Sequence, residues 1–194
     1  MVSYDDKTAL IVVDVQNDFA HPNGSLYVAE GEAVVPTINR EVVQALAARA
    51  GVFYTQDWHP PSTPHFKKDG GIWPVHCVQD TWGASFHPDL QIRGEVVRKG
   101  TGGEDGYSGF TVRDPRSGYE QQTPLESRLR ERGIERVVVV GLATDYCVKA
   151  TAIDAVSKGF QTTALGGAMR AVNLEPGDGD RALAEMQQAG VRIE

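Results

Sequence analysis

Short apolar runs of strand length alternate along this chain with segments whose apolar residues recur at helical spacing. The clearest runs are residues 8–13 (TALIVV) and residues 136–141 (RVVVVG), both rich in β-branched side chains. Residues 32–50 show the helical pattern, with an apolar residue at every fourth position from Val34 to Ala50. Strands that alternate with helices form βαβ units, in which the strands are parallel and both faces of the sheet are covered. The pattern therefore predicts an α/β fold.

The remaining runs extend this prediction to a single domain over residues 1–194, because a chain of 194 residues has the size of one ordinary domain. Six strands are predicted at residues 8–13, 52–55, 95–98, 136–141, 161–165 and 191–193. Helices are predicted at residues 32–50, 124–133, 145–157 and 179–189. We expect one six-stranded parallel sheet with helices on both faces. The carboxyl ends of its strands then share one edge, where α/β proteins bind ligands.

Charge and composition narrow the classes of partner. A formal net charge of −7 disfavours a broad phosphate-binding surface, so we expect no nucleic-acid partner. No apolar run reaches the roughly 18 residues of a membrane span. Residues 1–6 lack the basic and apolar regions of a signal peptide. The two cysteines, Cys77 and Cys147, do not suffice for a disulfide scaffold, so we expect a cytoplasmic protein with free thiols.

Three polar residues follow predicted strands at the ligand-binding edge: Asp14 after the first, Lys99 after the third and Cys147 after the fourth. The dipole at a helix start favours a thiolate, and a nearby lysine lowers the pKa of a thiol further. A carboxylate can accept and return the thiol proton. The set predicts a nucleophile, a charged stabiliser and a base. The alternatives are an inert buried cysteine, an aspartate that caps a turn and a solvated lysine.

A second set of polar residues lies in and next to the long irregular connection over residues 58–94. A connection of this length inside a compact domain is usually functional. Imidazole nitrogens with one carboxylate oxygen suit zinc, manganese or iron and leave coordination positions open. The candidate ligands are Asp57, His59, His65 and His76. Spacing alone leaves open that these are ordinary surface histidines.

Taken together, these segments resemble the nicotinamidases (pyrazinamidases) of the isochorismatase-like cysteine hydrolase superfamily, in the order in which that family carries them. The resembling segments are D-V-Q-N-D-F at 14–19, G-S-L at 24–26, D-W-H-P at 57–60, W-P-V-H-C at 73–77, R-K-G at 98–100, Y-S-G-F at 107–110 and G-L-A-T-D-Y-C-V at 141–148. The resemblance covers nearly the whole chain and implies the isochorismatase-like hydrolase fold. It also implies hydrolysis of nicotinamide to nicotinate and ammonia in NAD salvage, with pyrazinamide as a second substrate.

The resemblance implies a role for each catalytic residue. Cys147 would attack the carboxamide carbon and form a thioester, Asp14 would move the protons, and Lys99 would hold the charged pair in place. The backbone N–H groups of Ala143 and Cys147 would form the oxyanion hole, beside a cis peptide bond between Leu142 and Ala143. The ring pocket would be lined by Phe19, Trp73, Tyr107 and Leu142.

The resemblance also implies one divalent metal ion that positions the ring nitrogen, with zinc favoured over manganese or iron. Its ligands would be Asp57, His59, His65 and His76. The partner would be a small carboxamide substrate, and the chain would form a homo-oligomer, a dimer or larger.

Three other functions remain as alternatives. Another cysteine amidase of the superfamily would act on a ureido or carbamoyl compound, but such relatives generally lack the metal set. An isochorismate pyruvate-hydrolase would typically lack a cysteine at position 147. A catalytically silent metal-binding protein on the same fold is disfavoured because it has no need for both sets of residues.

Overall fold

The computed structural model describes residues 2–194. Its strands are β1 (Thr8–Val13), β2 (Gly51–Asp57), β3 (Glu95–Lys99), β4 (Thr111–Arg113), β5 (Glu120–Gln122), β6 (Arg136–Leu142), β7 (Gln161–Arg170) and β8 (Arg192–Ile193). Its α-helices are α1 (Asn17–Ala20), α2 (Val35–Ala47), α3 (Leu125–Glu131), α4 (Lys149–Ser157) and α5 (Asp178–Gln188). Short 3₁₀ turns cover Gly31–Val34 and Lys67–Asp69, and a π-helical turn covers Thr144–Val148.

Six of these strands form one parallel sheet in the order β3-β2-β1-β6-β7-β8, which confirms the predicted fold class. The chain proceeds from β1 outward to β3 on one side, and later from β6 outward to β8 on the other. The strand order therefore reverses between β1 and β6. Ligands of open α/β sheets bind beyond the carboxyl ends of the strands at such a reversal.

Helices cover both faces of the sheet, as predicted. Leu10 and Val12 of β1 pack in one core with α2, whereas Ala9, Ile11 and Val13 pack in a second core with α3, α4 and α5. The division follows from the strand itself, because successive side chains point to opposite faces. β1 is thus buried on both sides and forms the rigid centre of the sheet.

The helix predicted at residues 32–50 is shorter, and its apolar stripe is rotated. A 3₁₀ turn precedes α2, and Leu46 is 40% exposed. Positions four apart drift by about 40° per step around a helix with 3.6 residues per turn, so a stripe of fours leaves the buried face within three steps. The buried residues of α2 are Val35, Ile38, Val42 and Ala45.

Three further elements differ from the prediction. β7 continues to Arg170, because its pairing with β6 resumes at Met169 after an irregular stretch. The antiparallel pair of β4 and β5 was not predicted, and its short polar strands carry no clear apolar alternation. The helix predicted at residues 145–157 begins as the π-helical turn and becomes α-helical only at Lys149.

The rotated stripe of α2 gives a matched test of its burial. Ile38 is fully buried and Leu46 is exposed, although both truncations to alanine remove the same number of carbon atoms. Ile38→Ala should lower the free energy of unfolding by about 2–5 kcal/mol. Leu46→Ala should lower it by less than about 1 kcal/mol. Urea unfolding followed by circular dichroism measures both values, and equal losses would contradict this orientation of α2.

Candidate active site

The strand ends bring the three predicted catalytic residues together. Asp14 directly follows β1, Lys99 ends β3, and Cys147 lies in the π-helical turn after β6; all three side chains are buried. The Lys99 Nζ lies 2.9 Å from Asp14 Oδ2 and 3.8 Å from Cys147 Sγ. The ammonium group therefore contacts both the carboxylate and the sulfur. One cation can thus hold the predicted base and the predicted nucleophile together.

Asp14 is held in an unusual backbone conformation. Its φ of +48° lies in the left-handed region, which costs a non-glycine residue about 1–2 kcal/mol. Such conformations persist where the surroundings fix them, and they cluster at functional sites. Here the Asp14 N–H donates to the Thr55 hydroxyl at 3.2 Å, and that hydroxyl donates to Asp14 Oδ1 at 2.6 Å. The carboxylate is thereby turned toward the strand ends.

The thiol and carboxyl pKa values are shifted by burial. Burial raises the pKa of the Cys147 thiol well above its usual range, and the charge of Lys99 opposes this shift without overcoming it. Burial likewise raises the pKa of Asp14 against the opposing effect of Lys99. The expected lowering of the thiol pKa is therefore wrong, because desolvation outweighs the favourable charges. Cys147 is a protonated thiol at rest and needs a base.

The three predicted metal-binding histidines also converge. His59, His65 and His76 each present a ring nitrogen within 4.8 Å of the others. The His76 Nδ1 lies 2.7 Å from the Pro74 carbonyl oxygen, which leaves its Nε2 for a ligand. Burial lowers the pKa of His65 to about 4, with a further contribution from the other two rings, so its neutral form is favoured. Neutral imidazole is the form that binds metals.

His59 supplies the strongest indication of a bound ion. Both of its ring nitrogens are buried, and neither has a hydrogen-bond partner within residues 2–194. Buried polar atoms without a partner are rare, and each calls for an explanation such as an ion. The histidine cluster therefore fits a divalent metal.

Asp57 lies between the catalytic residues and the histidines. Its Oδ1 accepts a short hydrogen bond from Lys99, and its Oδ2 lies 3.8 Å from His59 Nε2. Burial raises the pKa of Asp57, but the charge of Lys99 outweighs it and holds that pKa well below the usual range. The sequence predicted Asp57 as a metal ligand. The structure adds its ion pair with the catalytic lysine.

Gln16, which was not predicted from the sequence, fixes the backbone of Asp57. Its Nε2 donates to the carbonyl oxygens of Asp57 at 2.7 Å and Ala84 at 2.9 Å. Its Oε1 accepts the Asp57 N–H at 2.8 Å, so the side-chain amide pairs with this residue as a neighbouring strand would. The sequence offered one signal for Gln16: it is a polar residue just after a buried strand, in the same segment as Asp14.

A pocket opens in front of Cys147 and reaches the histidine cluster. The space between its walls, counted together with its open mouth, is about 460 Å³. All four predicted ring-pocket residues line it, namely Phe19, Trp73, Tyr107 and Leu142, together with Ala143, Cys147, Asp57, His65 and His76. Five further lining residues were not predicted from the sequence, namely Leu26, Val28, Gly106, Tyr146 and Val172.

Three aromatic rings form one corner of this pocket. The Trp73 Nε1 donates to the Tyr107 hydroxyl at 3.1 Å. The Tyr146 ring meets Trp73 edge to face at 5.0 Å and Tyr107 at 5.2 Å between ring centroids. Tyr146 immediately precedes Cys147, and that adjacency was its only sequence signal. Rings in this arrangement suit a flat aromatic ligand.

The predicted oxyanion segment lies beside the sulfur. The peptide bond between Leu142 and Ala143 is cis, as the resemblance implied. The Ala143 carbonyl accepts the N–H groups of Tyr146 at 3.1 Å and Val148 at 3.0 Å, which begins the π-helical turn. N–H groups near the start of a helix that donate to no helix carbonyl can bind developing negative charge.

Comparisons with known proteins agree with this site. The isochorismatase domain profile matches residues 8–194. The nicotinamidase/pyrazinamidase of Mycobacterium tuberculosis is 41% identical over 192 residues, which cover 95% of this chain and 97% of that protein. The crystal structure of a Pyrococcus horikoshii pyrazinamidase in complex with zinc superposes with a TM-score of 0.86 at 40% identity, over 97% of this chain and 98% of that one. The crystal structure of PnC1 from L. infantum in complex with nicotinate has a TM-score of 0.87 at 36% identity, over 100% of this chain and 95% of that one.

A second group of relatives is more distant. A ureidoacrylate amidohydrolase of Methylorubrum extorquens is 31% identical over 172 residues, which cover 77% of this chain and 64% of that protein.

Gly100 borders the histidine cluster and allows a test of metal binding. Its φ is +74°, and an added Cβ would lie 2.6 Å from the His59 ring, which would have to move. Gly100→Ala should weaken zinc binding at least about 10-fold, as changes beside metal ligands do. Gly118→Ala is the control, because Gly118 has a φ of +71° and nothing within 4 Å of an added Cβ. Calorimetric titration of both metal-free variants measures the difference, and equal affinities would contradict the prediction.

Proposed function

Because this chain belongs to the isochorismatase domain family, we propose that it is a nicotinamidase in which Cys147, Asp14 and Lys99 perform the hydrolysis. The substrate is nicotinamide, the products are nicotinate and ammonia, and pyrazinamide is a second substrate. The observation that carries the proposal is one apolar pocket that joins a buried Cys–Asp–Lys set to a three-histidine cluster. Relatives named nicotinamidase align with this chain over nearly its whole length.

The first half of the reaction forms a thioester. Because the Cys147 thiol is protonated at rest, Asp14 takes its proton as Sγ attacks the carboxamide carbon. The carbonyl oxygen then carries negative charge, which the N–H groups of Ala143 and Cys147 receive. The C–N bond breaks, the proton on Asp14 moves to the leaving nitrogen, and ammonia departs. Lys99 remains positively charged throughout, because its carboxylate neighbours raise its pKa despite burial.

The second half hydrolyses the thioester. Asp14, again ionised, takes a proton from a water molecule whose oxygen attacks the thioester carbon. The C–S bond breaks, the proton passes from Asp14 to the sulfur of Cys147, and the product leaves as nicotinic acid, which loses its proton to the solvent and becomes nicotinate. One amide and one water molecule become one acid and one ammonia, and both side chains return to their starting states.

We also propose that Asp57, His59, His65 and His76 hold one zinc ion. When bound, the ion supplies a Lewis acid for the ring nitrogen of the substrate. His65 and His76 line the same pocket as Cys147, so a ring held at the histidines presents its substituent to the sulfur. Three nitrogen ligands and one oxygen ligand suit zinc, and a pyrazinamidase relative is in complex with zinc.

A ureido or carbamoyl substrate is the alternative, on the same cysteine chemistry. The aromatic corner of the pocket and the histidine cluster disfavour it, because a substrate without an aromatic ring nitrogen uses neither. The matches to ureidoacrylate amidohydrolases are also weaker and cover less of both chains.

Several expectations from the sequence stay predictions, namely one domain over residues 1–194, the cytoplasmic location, the homo-oligomer and the absence of nucleic-acid or membrane partners. None of the helices within residues 2–194 is long and apolar enough to cross a membrane.

The covalent mechanism is tested by removing the proposed nucleophile. Cys147→Ala should reduce ammonia release from nicotinamide at least roughly 1,000-fold, because the attacking atom is gone. Zinc and nicotinate binding should persist, since the histidines and pocket walls are intact. Cys77→Ala removes the other buried thiol and should retain most of the turnover. Ammonia release by Cys147→Ala at the wild-type rate would instead contradict Cys147 as the nucleophile.

Metal removal separates substrates by their ring nitrogen. Chelation should lower kcat/KM for nicotinamide at least about 10-fold and leave benzamide, which lacks that nitrogen, little affected. Adding zinc, manganese or iron should restore kcat/KM for nicotinamide. Ammonia release from both amides before and after chelation measures it. An equal loss for both would mean that the metal does not position the ring through its nitrogen.

A further inference from the structure

Thr55 holds the Asp14 carboxylate from the neighbouring strand. Thr55 of β2 pairs in register with Val13, so its backbone lies beside the end of β1. It is fully buried, and it lies outside the set of described residues that line the pocket. Its hydroxyl donates to Asp14 Oδ1 at 2.6 Å, a short distance for such a bond. Thr55 therefore contacts the proposed base without contacting the substrate.

The hydrogen-bond pattern fixes the direction in which the Thr55 hydroxyl donates. Its oxygen accepts the Asp14 N–H at 3.2 Å, so its own hydrogen is directed to Oδ1. Asp14 Oδ2 lies 2.9 Å from the Lys99 ammonium. A hydroxyl donor thus holds one carboxylate oxygen and an ion pair faces the other, and both restrict the rotation of the carboxylate.

The methyl group of Thr55 packs against Gly109 and thereby restricts rotation of the Thr55 side chain. A Cβ added to Gly109 would lie 2.8 Å from Thr55 Cγ2, so the absence of a side chain there makes room for this methyl group. Gly109 is itself held by two buried threonines: its N–H donates to Thr151 Oγ1 at 2.9 Å, and its carbonyl accepts the Thr123 hydroxyl at 2.6 Å. Contact with this rigid segment keeps the Thr55 hydroxyl on the Asp14 side.

We propose that Thr55 is a positioning residue of the hydrolysis, whose hydroxyl sets the Asp14 carboxylate for proton transfer to and from Cys147. The inference rests on the proposed function, in which Asp14 is the base. Valine at this position would keep the shape and the contact with Gly109 but would leave Oδ1 without its donor. The carboxylate would then be free to turn toward Lys99 and away from the Cys147 sulfur, which lies within 4.8 Å of one of its oxygens.

The test compares zinc-loaded wild-type protein with Thr55→Val, Thr55→Ser and Thr162→Val. Thr55→Val should lower kcat for nicotinamide roughly 10- to 100-fold, with KM and zinc content within about twofold of wild type. Thr55→Ser keeps the hydroxyl and should retain kcat within about threefold. Thr162→Val is the control, because this buried threonine at the amino end of β7 donates to the Phe160 carbonyl at 3.1 Å, away from Asp14. It should match wild type in all three quantities.

The inference is overturned if Thr55→Val keeps the wild-type kcat, or if Thr55→Ser loses as much as Thr55→Val. Should Thr55→Val fail to fold by circular dichroism, Thr55→Ser and Thr55→Ala decide, because both lack the methyl group and only serine keeps the hydroxyl. A serine variant about 10-fold faster than the alanine variant supports the proposal, and equal rates overturn it. Wild-type protein that releases no ammonia from nicotinamide would contradict the proposed function itself, whereas an active wild type with an equally active Thr55→Val contradicts this inference alone.

Discussion

The buried ammonium group of Lys99 is the interaction on which both parts of the site depend. It pairs with Asp14 on the catalytic side and with Asp57 on the histidine side. A buried charge is costly without a partner, and removing one member of such a pair commonly destabilises a protein by about 3–5 kcal/mol. Here one ammonium group lies between two carboxyl groups in a buried site, so each of these groups has an oppositely charged neighbour when ionised. The position of the proposed base is thereby tied to that of a proposed metal ligand.

The sheet places these groups side by side, because each lies at or just beyond the end of a strand. Four neighbouring strands, in the order β3-β2-β1-β6, end at Lys99, at Asp57, just before Asp14 and shortly before Cys147. The residues lie in the same order across the sheet edge as the strands do, and the Lys99 side chain reaches along this edge to contact Asp57, Asp14 and Cys147. The buried β1 fixes the middle of this row, and the reversal of strand order beside it opens the crevice that the pocket occupies.

The sequence predicted those parts of the site that depend on strand ends and on residue type. Asp14, Lys99 and Cys147 were found because parallel strands share an edge, and the histidines because several lie in one long irregular connection. The amide pairing of Gln16 with Asp57 was not predictable, because it depends on the exact approach of two segments 41 residues apart. The exposure of Leu46 was missed because spacing by fours follows a helix only approximately. The sign of the thiol pKa shift was missed because it depends on how deeply the loops bury the sulfur.

The raised pKa of the Cys147 thiol affects how the reaction starts. Burial raises the pKa of the Cys147 thiol and of the Asp14 carboxyl alike. The difference between these two pKa values is therefore smaller than the shift of the thiol alone suggests. Lys99 touches both groups and stabilises whichever one carries the negative charge. Proton transfer between them therefore moves charge within one ion-paired cluster and does not create a new buried charge. A site built in this way can keep its nucleophile as a neutral thiol until a carboxamide occupies the pocket, and still form the thiolate during attack.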